Sequence, residues 1–209
     1  MRYRPISPDV LTAELTDRIA ALTHRRRIAV AVDGADDATA AAALADSLVD
    51  PLRTLGRATL RVPARGFLRP ASLRFEHGKH DPDARYTDWL DVGGLRREVL
   101  DPLGEHGTGE VLPALWDPAR DRATRLPRVP LPDGGVVLVD GEFLLGAGLA
   151  FDFVVHLWLS PPALRRRVPE DRGWAVPAYE RYEAEVDPSA LADVVVRVDD
   201  PRHPAVYEP

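Results

Sequence analysis

The stretch that decides the fold is Ile28-Ala29-Val30-Ala31-Val32-Asp33-Gly34. Its first five residues form a continuous apolar run, which is typical of a strand buried on both faces of a parallel sheet. The alanine-rich segment from Asp36 to Leu48 follows and is predicted to be a helix. A buried strand, a turn and a helix in this order indicate the beginning of an α/β fold.

Further apolar runs predict four more strands, at 58–62, 136–141, 151–159 and 192–198. Helical spacing and capping residues predict helices after Ser7-Pro8, at 91–100 with Asp91 as the cap, and at 161–168. The proline-broken stretch 63–88 is predicted to be an irregular functional loop. The sequence therefore predicts a doubly wound α/β fold with a five-stranded parallel sheet centred on Ile28–Val32, with ligands bound beyond the carboxyl ends of the strands.

Length and composition limit the classes of function. The 209 residues suit one domain, 1–209, and the net charge of -6 argues against a nucleic-acid backbone as partner. The absence of cysteine excludes a disulfide, a thiolate nucleophile and a cysteine-ligated metal. No apolar stretch is long enough for a bilayer and the first residues lack a signal-peptide core, so we expect a cytoplasmic protein that is monomeric or homo-oligomeric and has no membrane partner.

The turn after the first strand is where a phosphate loop would lie. The pattern G-x-x-x-x-G-K-S/T can be aligned with 34–41, but only Gly34 is kept. Thr39 stands at the second glycine, Ala40 at the lysine and Ala41 at the hydroxyl that would reach magnesium. The segment is either a degenerate phosphate loop, with Gly34 and Thr39 as its remnants, or a plain strand-to-helix turn capped by Asp36 or Asp37.

Seven segments, in the same order along the chain, resemble motifs of the uridine-kinase-like P-loop proteins of actinobacteria. They are 33–41 (D-G-x-D-G-A-G-K-T), 67–70 (within D-D-F-H-R-P), 86–91 (Y-x-D-S-F-D), 100–104 (L-D-P-L-G), 113–117 (P-x-x-F/Y-D), 139–145 (V-D-G-V-F-L-L) and 185–196 (E-V-D-P and A-D-V-V-V). The resemblance covers nearly the whole chain.

The resemblance implies a P-loop kinase-like three-layer sandwich with a lid region around 161–185. It also implies ATP or a related triphosphate as donor, magnesium as cofactor and a nucleoside-like acceptor. The family pattern places its catalytic base at two carboxylate positions, which are Arg65 and Gly66 in this sequence. Phosphoryl transfer depends on the phosphate-loop lysine, the metal-binding hydroxyl and the base, and all three are missing from their places.

Three carboxylates are candidate catalytic residues. Asp140 ends a predicted strand, where it is either a magnesium-linked carboxylate or the cap of a following helix. Glu142 replaces an apolar residue of the family pattern, and it is either a new acid or base or a solvent-facing glutamate of a first turn. Asp88, in the predicted loop, is a candidate base.

Two loop segments would border an acceptor pocket, and we expect their polar and aromatic residues to converge at the carboxyl edge of the sheet. The candidates for substrate binding are Tyr86, Asp88, Trp116, Asp117 and Arg120. A carboxylate can hold sugar hydroxyls and an aromatic ring can stack on a base, whereas the alternative is ordinary loop packing.

Arginines are the candidates for holding phosphates. Arg65 lies at the position of the base, and Arg166 and Arg172 lie in the lid region, where a solvated helix face is the alternative. The histidines of the polar loops match no spacing of metal ligands, so no metal site is predicted.

Three functions follow from these observations. The first is a degenerate uridine-kinase-like protein, a pseudoenzyme or one of altered chemistry, that binds a nucleoside-like or other small polar ligand. The second is a working kinase that takes a cation from Lys79, Arg65 or the lid and uses Asp88 or Asp140 as base. The third is a non-catalytic protein that binds a partner.

Overall fold

The computed structural model describes residues 2–208. Its strands are β1 (Arg2–Pro5), β2 (Ile28–Gly34), β3 (Thr59–Pro63), β4 (Glu110–Val111), β5 (Trp116–Asp117), β6 (Arg122–Ala123), β7 (Val129–Pro130), β8 (Val136–Gly141), β9 (Phe153–Trp158), β10 (Val194–Arg197) and β11 (Ala205–Glu208). Its α-helices are α1 (Pro8–Ala20), α2 (Asp36–Thr39), α3 (Ala41–Thr54), α4 (Ala71–Arg74), α5 (Pro82–Thr87), α6 (Val92–Leu95), α7 (Pro161–Arg167), α8 (Val176–Val186) and α9 (Pro188–Leu191).

The described residues form a seven-stranded main sheet in the order β1-β11-β10-β9-β2-β8-β3. The five strands from β10 to β3 are parallel and coincide with the five predicted strands, with β2 at their centre. The predicted number of strands is wrong, because β11 and β1 extend the sheet as antiparallel strands. Both are short and mix polar with apolar residues, so they lack the apolar run that reveals a buried strand.

The core is built around β2 and β8. Every residue of both strands is buried, which requires cover on both faces of the sheet. Helix α3 packs on β2, β3 and β8, and α1 packs on α3. The α/β class and the layered arrangement of the prediction are therefore confirmed.

Capping residues explain where several helices begin. Ser7 Oγ accepts a hydrogen bond from the Val10 N–H group at 3.3 Å, and Asp91 accepts one from Gly94 at 2.8 Å, as predicted for the starts of these helices. After α6 the chain continues as a π-helical turn, Arg96–Leu100, and a 3-10 turn, Asp101–Leu103. The predicted helix 91–100 is therefore α-helical in its first half and π-helical in its second, and the 3-10 turn extends it to Leu103.

Two predictions of local structure need correction. The stretch 63–88 is not irregular throughout, because it contains a 3-10 turn at Ala64–Phe67 and the short helices α4 and α5. The predicted continuous helix 36–48 is interrupted at Ala40, whose φ of 62° lies in the left-handed region and separates α2 from α3. The interruption lies at the position of the phosphate loop.

None of the helices in residues 2–208 combines the length and the apolar character needed to cross a bilayer.

Candidate functional site

The turn after β2 is closed by its own hydrogen bonds. The carbonyl oxygen of Ala35 accepts from the N–H groups of Ala38 at 2.8 Å and Thr39 at 2.9 Å. It also accepts from the Thr39 hydroxyl at 3.0 Å. The N-cap of α2 is Ala35, which offers no side-chain hydrogen bond, so the predicted aspartate cap is wrong. Two N–H groups that would point at a phosphate are thus already bonded within the turn.

The Thr39 side chain fills the space beside Gly34. Thr39 is 3% exposed, and a Cβ atom on Gly34 would lie 2.6 Å from Thr39 Oγ1 and 3.0 Å from Leu157 Cβ. Gly34 is therefore required for packing against its own loop. The adjacent cavity, bordered by Gly34, Thr39 and His156, measures about 30 Å³, which is room for about one or two water molecules.

A buried ionic cluster lies directly behind this turn. Asp33, fully buried at the end of β2, accepts hydrogen bonds from the Leu144 N–H group at 3.0 Å and the Tyr182 hydroxyl at 3.0 Å. His156 Nδ1 of β9 lies 2.8 Å from Asp33 Oδ2, and His156 Nε2 lies 3.3 Å from Glu183 Oε1. Burial by itself lowers the pKa of His156, but Asp33 and Glu183 outweigh it and raise the pKa to about 9. His156 is therefore a buried cation between two carboxylates.

Asp140 is already paired with a cation. Arg61 of β3 donates from Nε to Asp140 Oδ1 at 2.6 Å and from the second guanidinium nitrogen to Oδ2 at 2.8 Å. The same guanidinium reaches Asp46 of α3 at 2.8 Å, and the hydrogen bond to Asp140 is the main cause that raises the pKa of Arg61. A bidentate pair of this kind occupies both carboxylate oxygens. Asp140 thus caps no helix, and both of its oxygens accept hydrogen bonds from Arg61.

Glu142 does not face the solvent, which was one of the two interpretations offered by the sequence. Its Oε2 atom accepts from Arg85 at 2.9 Å and from the Tyr179 hydroxyl at 2.6 Å, and its side chain is 15% exposed. Burial, with the nearby charge of Glu142, raises the pKa of Tyr179 far above its usual range. Glu142 therefore belongs to a hydrogen-bonded group that joins β8, α5 and α8.

A cleft of about 370 Å³ opens between these pairs and the loops that follow β3. Its charged lining consists of the arginines Arg61, Arg65, Arg74, Arg85 and Arg172 and the carboxylates Asp36, Asp140 and Glu142. Its apolar lining includes Leu68, Trp89, Leu90 and Phe143. Four residues predicted from separate parts of the sequence line this cleft, namely Arg65, Asp140, Glu142 and Arg172.

The first acceptor segment lies beside the cleft. Tyr86 packs edge-on against Phe143, with ring centroids 5.4 Å apart, and the Arg181 guanidinium lies 4.8 Å from the centre of the Tyr86 ring. Asp88, at the end of α5, accepts from the Thr87 hydroxyl at 2.9 Å. The residues of this segment that line the cleft are Trp89 and Leu90.

The second acceptor segment forms the small hairpin of β5 and β6. Trp116 Nε1 donates to Asp121 at 3.0 Å, and Asp117 accepts from the N–H groups of Ala119 and Arg120. Asp117 and Arg120 line a separate open groove of about 590 Å³ on this hairpin, whereas their neighbours Pro118 and Ala119 line the cleft. Both loops therefore line the cleft, but with residues that are next to the predicted ones in sequence.

The predicted phosphate-binding arginines of the lid region diverge. Arg172, in the 3-10 turn Glu170–Ala175, lines the cleft. Arg166 is exposed on α7 and donates a hydrogen bond to the Asp199 carbonyl at 3.5 Å. In residues 2–208 no group of three or more carboxylate or imidazole side chains is arranged to hold a metal ion.

Sequence reasoning missed the partners that complete the site. Arg61 and Arg85 were not named, although both are arginines beside predicted loops at the carboxyl edge. His156 was missed as well, but a signal for it was present, because it is the polar residue in the apolar run Phe153–Trp158. A single ionisable residue inside a buried strand indicates a buried partner.

Comparison with known proteins gives structural matches alone. No protein-family model and no curated protein matches this sequence. A solved structure described as a possible uridine kinase from Bacillus stearothermophilus superposes with a TM-score of 0.72, at 20% identity, over 90% of this chain and 97% of that one. A provisionally assigned fructose transport system kinase from a Silicibacter species gives a TM-score of 0.55 at 21% identity, over 84% of this chain and 89% of that one. The chain has a P-loop kinase fold. At these identities the likeness establishes the fold and leaves the activity to the residues of the site.

The residues at the phosphate end of this P-loop kinase fold do not fit ATP with magnesium. The turn has no lysine and no hydroxyl at positions 40 and 41, and two of its N–H groups are bonded to Ala35. Both oxygens of Asp140 are held by Arg61. Lys79, the one lysine of the sequence, lies exposed in the loop before α5 and is not part of the cleft lining.

Proposed function

We propose that this P-loop kinase-like protein binds a nucleoside-like or other small polar ligand in the 370 Å³ cleft and has lost conventional ATP-dependent phosphoryl transfer. The observation that carries the proposal is the closed turn after β2, in which the Ala35 carbonyl takes up the N–H groups of Ala38 and Thr39. A phosphate would have to displace these bonds and the buried Thr39 side chain before it could bind.

The loss of affinity for ATP can be estimated from the missing contacts. A charge-assisted hydrogen bond contributes roughly 1.5–3 kcal/mol, and at least two such contacts, from the lysine and through the metal-bound hydroxyl, are absent. Two losses of this size weaken binding by a factor of roughly 100 or more. We therefore expect magnesium-ATP to bind with a dissociation constant in the millimolar range or weaker.

The cleft itself supports ligand binding. Its volume is within the range of small-molecule sites, and it combines an apolar wall at Trp89 and Phe143 with converging charged groups. The ion pairs Arg61–Asp140 and Arg85–Glu142 fix the positions of those groups. We further propose that five residues of the loops around the cleft, which are not part of its lining, contribute to binding: Tyr86, Asp88, Trp116, Asp117 and Arg120.

Two measurements on the same preparation test the proposal. Calorimetry with magnesium-ATP is expected to give no micromolar binding, and thermal shift against nucleosides, nucleotides and sugar phosphates is expected to find a stabilising ligand. Micromolar binding of magnesium-ATP would instead support a working kinase. A complete lack of stabilisation by the panel would reject ligand binding and leave the partner-binding alternative.

A variant with the family residues restored provides the matched control. Thr39→Gly, Ala40→Lys and Ala41→Thr together remove the hydroxyl bonded to Ala35 and supply the missing lysine and hydroxyl. If the fold is intact by circular dichroism, this variant should bind magnesium-ATP more tightly than the natural chain. The ligand found for the cleft should bind both chains about equally, since the substituted residues lie outside the cleft lining.

A further inference from the structure

We propose that the ligand of the cleft is a small phosphomonoester, held by Arg65 and Arg74 together with the other arginines of the lining. This inference rests on the proposed function, because it assigns the chemical class of ligand to the same cleft.

The lining of the cleft is positive in a chain that is negative overall. Five arginines face three carboxylates, an excess of two positive charges, whereas the whole chain carries -6. The carboxylates behind Arg61 and Arg74 are Asp46 and Asp121, whose side chains are 64% and 45% exposed and therefore screened by water. A phosphomonoester carries about -1.5 to -2 charges at neutral pH, which matches the excess.

Arg74 is the arginine whose surroundings most require an anion. Its side chain is 7% exposed, and its contact with a carboxylate oxygen of Asp121 is 4.0 Å long, outside hydrogen-bond range. Burial lowers the pKa of Arg74, and Asp121 offsets only part of this effect. A buried cation with such weak pairing is costly unless a further negative group approaches it.

The position of the Arg74 guanidinium is well defined. Its Nε atom donates a hydrogen bond to the Arg69 carbonyl at 2.7 Å. Its Cζ atom lies 4.8 Å from the centre of the Phe75 ring and 5.3 Å from the centre of the Trp89 ring. Trp89 also lines the cleft and has Arg85 at 5.1 Å from its ring centre. The cations are thus held against aromatic faces beside the cleft before any ligand binds.

Arg65 completes the set of arginines that line the cleft. It is an exposed residue of the 3-10 turn after β3, it lines the cleft, and the ion pairs described for residues 2–208 do not include it. A guanidinium here attracts a ligand that is an anion, and because it stays protonated it cannot act as a general base for a hydroxyl. Arginine also matches the geometry of phosphate oxygens better than lysine does.

Pairs of compounds that differ only in the phosphate test the inference. Thermal shift and calorimetry would compare ribose 5-phosphate with ribose and uridine 5′-monophosphate with uridine, all at millimolar concentration. We expect at least one ester to stabilise the chain and its neutral parent to bind at least tenfold more weakly. Equal binding of parent and ester, or no binding by either ester, would overturn the phosphomonoester and leave the proposed function intact. The proposed function fails only if the whole panel of nucleosides, nucleotides and sugar phosphates gives no stabilisation.

Arg65→Gln is the decisive variant, with Arg53→Gln as its control. Arg53 is likewise exposed, but it bonds to the Thr59 carbonyl at the amino end of β3, the opposite edge of the sheet. We expect Arg65→Gln to weaken the ester at least tenfold and Arg53→Gln to change its affinity less than twofold. Unchanged affinity in Arg65→Gln, or equal losses in both variants, would refute a site at the cleft.

Discussion

Replacing His156 by asparagine tests the buried ionic cluster behind the turn. His156 is 1% exposed and lies between Asp33 Oδ2 at 2.8 Å and Glu183 Oε1 at 3.3 Å. Removing the cation leaves Asp33 buried without a compensating charge. The cost of breaking a buried pair in this way is about 3–5 kcal/mol of unfolding free energy.

The pKa of His156 gives an independent estimate of the magnitude. It rises from 6.5 to about 9 on folding. One pKa unit corresponds to about 1.4 kcal/mol. The rise therefore contributes about 3 kcal/mol to the free energy of unfolding, relative to a pH at which the folded chain has also lost this proton. A loss of that size lowers the melting temperature of a chain of this length by roughly 6–12 °C.

The pH dependence has a definite sign. The folded chain keeps the His156 proton between pH 6.5 and about 9, whereas the unfolded chain releases it. The stabilisation is therefore fully present below pH 6.5 and is lost as the pH rises through about 9. In His156→Asn the loss of unfolding free energy between pH 6.5 and about 9 should be absent.

Urea denaturation at a series of pH values between 6 and 9 measures both effects. His203→Asn is the matched control, because His203 pairs with Asp200 on the surface with 77% of its side chain exposed, and it should cost less than about 0.5 kcal/mol. A loss below about 1 kcal/mol in His156→Asn, or an unchanged pH profile, would refute a structural cation at this position.

Two further substitutions test the closed turn and the Asp140 pair. Gly34→Ala should destabilise the chain by about 1–3 kcal/mol, because its Cβ atom would lie 2.6 Å from Thr39 Oγ1. Urea denaturation should find a smaller loss when the same substitution is made in Thr39→Ala. Equal losses in the two backgrounds would contradict the contact. Arg61→Met should cost about 3–5 kcal/mol because it leaves Asp140 buried without its cation, and the double variant with Asp140→Asn should recover much of this loss. No recovery in that double-mutant cycle would mean that the two side chains are not coupled.

The positions of the five parallel strands were predictable because a buried strand is recorded locally, as an apolar run. Local sequence alone was enough to predict Ile28–Val32 and the strands β8 and β9. The sequence also shows directly that alanines stand at positions 40 and 41, where the resembled family pattern has a lysine and a hydroxyl. The antiparallel strands β1 and β11 were not predictable in this way, since both are short and of mixed sequence. They are positioned by pairing, β1 with β11 and β11 with β10.

The pairing of the charged side chains was decided by the tertiary structure. Asp33 and His156 are 123 residues apart, Arg61 and Asp140 are 79 apart, and Arg85 and Glu142 are 57 apart. Sequence patterns indicate which residues of a strand are buried, but the partner of a buried charge depends on which strands become neighbours and in which register. The order β9-β2-β8-β3 brings these residues to one edge of the sheet, and only there do separate arginines and carboxylates become ion pairs and a positively charged cleft.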